Sequence, residues 1–342
     1  MNLKYRTFIQ LSVIALSLFI TRANAQRIEL IDETQAASFR GLSAVTNDVV
    51  WVSGSKGTVG RSIDGGKTWK WNIVKGFETR EFRDIEAFDQ NIAVILAVAE
   101  PANILRTTDG GATWNVVYEN STKGMFLDAM DFVDDLHGTV IGDPVDGKFF
   151  IAHTSDGGQT WKEEPSQNLP EIDSGEACFA SSGTNIRRFG ASDYTFISGG
   201  RRSRVFLNTK PFDLPITQGL ESTGGNSMAI RQNKKTKTYD YWIVVGGDFA
   251  SDTTRAKNCF ISKDMGKTWI RPVIPPFGYR SCVEFISSYS LITCGTKGVD
   301  VSSDEGITWK NISTTGFHVC RKAKKGTAVF LAGNKRIGKF IP

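Results

Sequence analysis

The chain is 342 residues long and carries 41 Lys and Arg against 36 Asp and Glu, a formal charge of +5. That balance lacks the dense basic stripe of a nucleic-acid binder, and three scattered histidines, His137, His153 and His318, make no metal-ligand spacing. The five cysteines (Cys178, Cys259, Cys282, Cys294, Cys320) lie in the second half without a CxxC pair; the odd count leaves at least one thiol unpaired, and most are expected to act as small buried hydrophobes.

The first 25 residues read as a separate object. Lys4 and Arg6 precede an apolar run from Phe8 to Ile20, and Ala23-Asn24-Ala25 supplies the small residues of a signal-peptidase site, with cleavage expected before Gln26. The run is too short for a membrane span, which takes about 20 apolar residues, and no cysteine follows closely to carry a lipid anchor. Loss of Lys4, Arg6 and Arg22 lowers the charge by three, leaving a mildly basic exported chain, periplasmic or extracellular.

Arg27 to Glu33 (RIELIDE) then reads as a strand. Five hairpins with period-2 alternation follow, each broken by Gly, Pro or Asp: VVWVSGSKGTVGRSIDGG, AVILAVAEPANILRTTDGG, GTVIGDPVDGKFFIAHTSDGG, YWIVVGGDFASDTTRAKNCFISKDMG and SLITCGTKGVDVSSDEG. Between the third and fourth, YTFISGGRRSRVFLNTKPFD has the hairpin alone, and TAVFLAGNKRIGKFIP ends the chain one strand short.

The five complete hairpins run into one phrase, Ser/Thr-x-Asp-x-Gly-x-Thr-Trp, at Ser62–Trp69, Thr107–Trp114, Thr154–Trp161, Ser262–Trp269 and Ser302–Trp309. Its aspartates, Asp64, Asp109, Asp156, Asp264 and Asp304, are 45, 47, 108 and 40 residues apart. The longest gap holds two repeats, one of them worn, and a period in the forties with strand-like text is that of a four-stranded propeller blade. In such a turn Asp accepts from backbone amides and Gly supplies positive φ. Trp69, Trp114, Trp161, Trp269 and Trp309 re-enter a strand and pack between hairpins. These aspartates are therefore expected to be structural, neither catalytic nor metal-binding.

The phrase resembles the Asp-box (BNR) repeat of sialidases, sortilin-type receptors and photosystem assembly-factor propellers. The fold class that follows is all-β, a seven-bladed β-propeller forming a single domain over residues 26–342. Its last blade is expected to be completed by the N-terminal strand, since an open edge would invite aggregation.

Strands alternate direction, so the box turns share one rim with the turns between first and second strands. The opposite rim holds the entries to the inner strands, SFRGLSAV, EFRDIEAF, FLDAMDF, SGEACFA, GGNSMAI, GYRSCVEF and GFHVCRKA. Aligned, they offer Arg40, Arg83, Asp128 (or Leu127), Glu176, Asn226, Arg280 and His318 around the mouth of a central channel. Glu100, Asp143, Asp146, Arg201, Arg202, Arg204 and Asp248 arrive from the hairpins between second and third strands. Convergent polar groups of this kind form either a binding site or a ring of charges that satisfy one another.

Three functional readings follow. A sialidase would set Arg40, Arg83 and Arg280 as an arginine triad, Tyr279 or Glu176 as nucleophile elements and Asp128 or Asp84 as the acid, although the Phe-Arg-Ile-Pro signature of such enzymes is replaced by SFRG and EFRD. FRGLSAV with WVSGSKGTVGRSIDGGKTW resembles the photosystem II assembly and stability factor family, which implies a non-enzymatic scaffold that binds other proteins. AEPANIL, GMFLDAMDF and GDPVDGKFFIA resemble the exported non-photosynthetic branch of that family, often labelled oxidoreductase. Its nearest string to a dinucleotide fingerprint, Gly54 to Gly60, falls in a β-hairpin, where glycines serve turns. Neither cofactor nor metal is called for. The favoured reading is an exported, monomeric, non-enzymatic propeller whose arginines recognise a protein partner or an anionic ligand.

Overall fold

The computed structural model describes residues 26–233 and 236–342; the leader segment and its cleavage site lie outside them. Seven antiparallel sheets surround a central axis. Blade 1 runs Phe39–Ala44, Val50–Gly54, Thr58–Ser62 and Lys70–Ile73 from the channel outward, and blade 2 runs Phe82–Ala87, Ala93–Ala97, Ala102–Thr107 and Asn115–Asn120. Blade 3 comprises Leu127–Phe132, Gly138–Val145, Lys148–Thr154 and Lys162–Glu163, and blade 4 comprises Ile186–Arg188, Tyr194–Ile197, Arg204–Leu207 and Lys210–Asp213.

Blade 5 has Thr223–Arg231, Tyr241–Asp248 and Cys259–Ser262, with Ile270 bridging Ile261 outside them. Blade 6 has Cys282–Phe285, Leu291–Gly295, Gly298–Ser302 and Lys310–Ser313. Blade 7 takes Val319–Lys322, Val329–Gly333 and Arg336–Ile341 from the end of the chain, and its outer strand, Arg27–Asp32, from the beginning. Among the described residues no helix is long and apolar enough to cross a membrane.

The inner and middle strands alternate apolar residues whose faces meet those of the next blade. Trp51 of blade 1 thus lies in one buried cluster with Phe82, Ile85 and Ile95 of blade 2, and Phe39 joins Phe317 and Phe330 of blade 7. Each such side chain removed from water contributes about 1.5–3 kcal/mol. All five cysteines are buried and unpaired.

The repeated phrase builds the same turn five times. Its first hydroxyl donates to the Asp Oδ1 at 2.8–2.9 Å and accepts from the Gly amide at 2.8–3.1 Å. The Thr amide donates to Asp Oδ1 at 2.8–3.0 Å, and the Thr hydroxyl to Oδ2 at 2.6 Å in every copy. These donors favour the ionised carboxylate, holding Asp64 and Asp109 at about 2, with the Thr hydroxyl the largest influence. The Gly that follows takes φ between 76° and 89°, as the turn requires. Blade 4 replaces the box by a two-residue hairpin, Asn208-Thr209, between its third and fourth strands.

Candidate functional site

Four of the aligned entry residues share a backbone feature that the sequence does not display. Arg40, Arg83, Asp128 and Asn226 each occupy a register shift in the pairing of first and second strands: Phe39 pairs Gly54 while Gly41 pairs Ser53, and the other three blades repeat this. A bulge of this kind leaves one residue unpaired and re-aims its side chain, here at the channel mouth.

The same register corrects the alignment in blade 6. Cys282 pairs Cys294, one residue before Gly295, so Ser281 takes the bulge position and Arg280 the blade-interior position held elsewhere by Phe39 and Phe82. Arg280 is 0% exposed. Its Nε donates to Asp300 Oδ2 at 2.6 Å within the same blade. Glu176 has a similar fate, buried in blade 4 with Arg204 on both oxygens, at 3.0 and 2.5 Å, and Ser198 on one. These are two intrablade ion pairs of opposite polarity.

Blade 4 enlarges its bulge into an excursion. Glu176-Ala177 pairs Gly199-Gly200 and Ile186–Arg188 pairs Tyr194–Phe196, so the eight residues Cys178–Asn185 are looped out of the inner strand. They fill the channel. Ser182 Oγ donates to the Ser281 carbonyl and Thr184 Oγ1 to Ser227 Oγ, both at 2.6 Å, while Asp143 of blade 3 accepts the Cys178 amide at 2.9 Å. Gly183 lies against the Asp84 carboxylate of blade 2, and the Ser181 carbonyl accepts from Arg40 Nη1 of blade 1 at 3.1 Å. The plug thus ties five blades together.

Above it stand the residues that reach solvent. Arg83 Nη2 contacts Glu81 Oε2 at 2.8 Å and Arg40 Nε lies 3.9 Å from Oε1, so two guanidiniums flank one carboxylate. The arginine side chains are 29% and 26% exposed. Arg83 also covers the Phe126 ring at 5.6 Å. His318 meets Ser38 Oγ at 3.2 Å; burial, then Arg40, Arg83 and Arg336, push its pKa down to about 3, so it stays neutral. Tyr279 donates to Asn226 Oδ1 at 2.8 Å.

Below the rim, Asp128 is buried with no well-formed hydrogen bond to either oxygen, and burial followed by Asp143 raises its pKa. Burial likewise raises Asp84, which accepts the amides of Ile85 and Met130, and brings Asp143 to about 6. Arg201 pairs with Glu221 at 3.7 Å, and Arg202 with Asp173 and Asp213, on the outer part of this rim. Arg40, Arg83 and His318 are therefore brought together, with Asn226 and Asp128 beneath them, whereas Arg280, Glu176, Arg201 and Arg202 each sit in separate pairs. An arginine triad of residues 40, 83 and 280 does not form. The string from Gly54 to Gly60 lies in the hairpin of blade 1.

Sequence reasoning missed a second ring at the box-side end of the channel. Arg321 bridges Glu86 at 2.9 Å and Glu284 at 3.7 Å, Arg187 bridges Glu284 at 3.4 Å and Asp131 at 3.9 Å, and Lys324 closes on Glu86 at 2.5 Å. A signal existed. Glu86, Asp131, Glu284 and Arg321 each stand three residues after a bulge position, on the strand face that lines the channel.

No family model and no curated protein matches this chain. Among solved structures it is similar to YCF48 bound to D1 peptide, at 16% identity and a TM-score of 0.64 over 92% of this chain and 97% of that one. It is also similar to YCF48 from Cyanidioschyzon merolae, at 17% identity and 0.63 over 92% and 99%, and to the Pan2 WD40 domain of Neurospora crassa, at 13% and 0.60 over 92% and 94%. At these identities what is shared is the seven-bladed propeller fold.

Proposed function

We propose that the chain is an exported, non-enzymatic propeller that holds a partner protein at the arginine-bearing mouth of its plugged channel. The observation that carries this reading is Glu81 flanked by Arg40 and Arg83 at an open rim. Glu81 stands there as an internal substitute for a partner carboxylate, and guanidiniums are suited to bidentate carboxylate recognition. Phe179 of the plug and Phe249 beside it, ring centroids 5.9 Å apart, add apolar contact, Phe249 being half exposed. A solved propeller of the same architecture is described with a bound peptide, which agrees with a peptide segment as the occupant.

The test titrates the mature protein against immobilised acidic peptides. Arg40→Ala with Arg83→Ala should weaken binding at least about tenfold while the chain stays folded, its thermal melt lowered by the lost Arg40 bond to the Ser181 carbonyl, and Glu81→Gln should strengthen binding by removing the internal competitor. Unchanged affinity in the double arginine variant would falsify the proposal.

A further inference from the structure

Every box turn packs on the blade before it. Asn72 Nδ2 of blade 1 donates to the Gly111 carbonyl at 2.6 Å, Arg106 Nε of blade 2 to Gly157 at 3.0 Å, the Tyr241 hydroxyl of blade 5 to Glu305 at 2.8 Å, and Lys339 Nζ of blade 7 to Gly65 at 3.4 Å. Trp269 of blade 5 reaches back to the Asp213 carbonyl of blade 4 at 2.9 Å. Four of these five contacts place a side-chain donor of one blade on a backbone carbonyl of the next blade's turn.

Blade 4 has no box, and its two-residue corner leaves the corresponding slot over blade 3 open as a cleft of about 770 Å³. The strand register shows that this is the same slot: Thr139 pairs His153 in blade 3 as Trp51 pairs Arg61 in blade 1 and Val94 pairs Arg106 in blade 2. His153 meets Tyr194 of blade 4 with ring centroids 5.5 Å apart.

The lining of this cleft has chemistry to spare. Among the described residues, the Lys162 ammonium, the Gln167 amide and the Tyr194 hydroxyl have no hydrogen-bond partner in the chain. Glu164, the one acid in the lining, is already engaged by His153 Nε2 at 3.4 Å and Asn168 Nδ2 at 2.5 Å. Arg188 adds a buried positive charge whose guanidinium is bonded to Thr139 and to the carbonyls of Gly190 and Ala191. An unpaired ammonium beside unused neutral donors calls for an occupant rich in acceptors and negative charge, and a slot shaped by a missing turn fits a turn. We propose that the blade 3–blade 4 slot binds an acidic tight turn of a partner protein, on the rim opposite the arginine mouth.

The probe is a fluorescein-labelled cyclic peptide of the third box itself, Thr-Ser-Asp-Gly-Gly-Gln-Thr-Trp, titrated against the mature protein by anisotropy. Saturable binding in the range of about 10–100 μM is expected, weakened at least about tenfold by Lys162→Glu with Tyr194→Phe. Neither side chain has a hydrogen-bond partner to lose, so this double variant keeps the melt of the parent. A box grafted between Leu207 and Lys210 should abolish binding, whereas Arg40→Ala with Arg83→Ala should leave it unchanged, separating this inference from the proposed function. The inference is overturned by no saturation up to about 1 mM, by equal affinity in the Lys162/Tyr194 variant, or by galacturonate competing as well as unlabelled peptide, which would assign the cleft to sugar acids.

Discussion

Gly183→Ala probes the plug where it presses on the opposite side of the channel. Gly183 has φ +65°, and an L-residue in that region costs about 1–2 kcal/mol. A Cβ there would also overlap the Asp84 carboxylate, with Oδ2 only 2.6 Å away. That carboxylate cannot swing aside, because the amides of Ile85 and Met130 hold its two oxygens at 2.8 and 2.7 Å. Overpacking of a fixed group costs about 1–3 kcal/mol, so the substitution should lower stability by about 2–5 kcal/mol in total. Gly76→Ala is the control: its φ is +83° and nothing lies within 4 Å of the added carbon, so only the backbone cost of about 1–2 kcal/mol applies. Urea unfolding of both variants measures the difference. Equal losses would refute the close packing of residues 178–185 against blade 2.

Arg321→Met removes the cation between Glu86 and Glu284 and should cost about 3–5 kcal/mol in a urea titration, as for one partner of a buried pair; adding Glu86→Gln should recover part of that loss, and strictly additive losses would show that the two side chains act independently. His318 binds its proton in the unfolded chain near pH 6.5 but in the fold only near 3, because burial and then Arg40 and Arg83 oppose the charge. Its contribution is therefore complete above about pH 6.5 and is lost as the pH falls, by about 2 kcal/mol at pH 5. Asp143, raised to about 6 by burial, runs the other way and stabilises the fold below about pH 4, with loss between about 4 and 6. Unfolding at pH 7 and pH 5 should show His318→Gln less acid-sensitive than the parent, and identical sensitivity would mean that His318 accepts its proton within the fold.

The site was only partly legible in the residues. Arg40, Arg83 and His318 could be aligned because their strands enter the channel without insertion, and the structure brings these three together. Arg280 misled because a one-residue change of register turns a side chain from the channel to the blade interior, and GYRSC looks as though it aligns with SFRGL whichever residue bulges. Glu176 misled for a different reason, since the strand that should follow it is interrupted by eight residues whose small and polar composition, CFASSGTN, reads as an ordinary loop.

By itself the sequence determined the repeat, and with it the all-β class, the seven blades and the two blades lacking a box, because hydroxyl, carboxylate, glycine and threonine at fixed spacing satisfy one another within eight residues. Such a turn needs no distant partner. The plug, the two-guanidinium grip on Glu81, the second charged ring and the open slot over blade 3 were decided only by the tertiary structure. Each depends on which residues of different blades meet across the axis or at a blade junction, and bulge register and blade packing set those meetings over separations that local spacing does not encode.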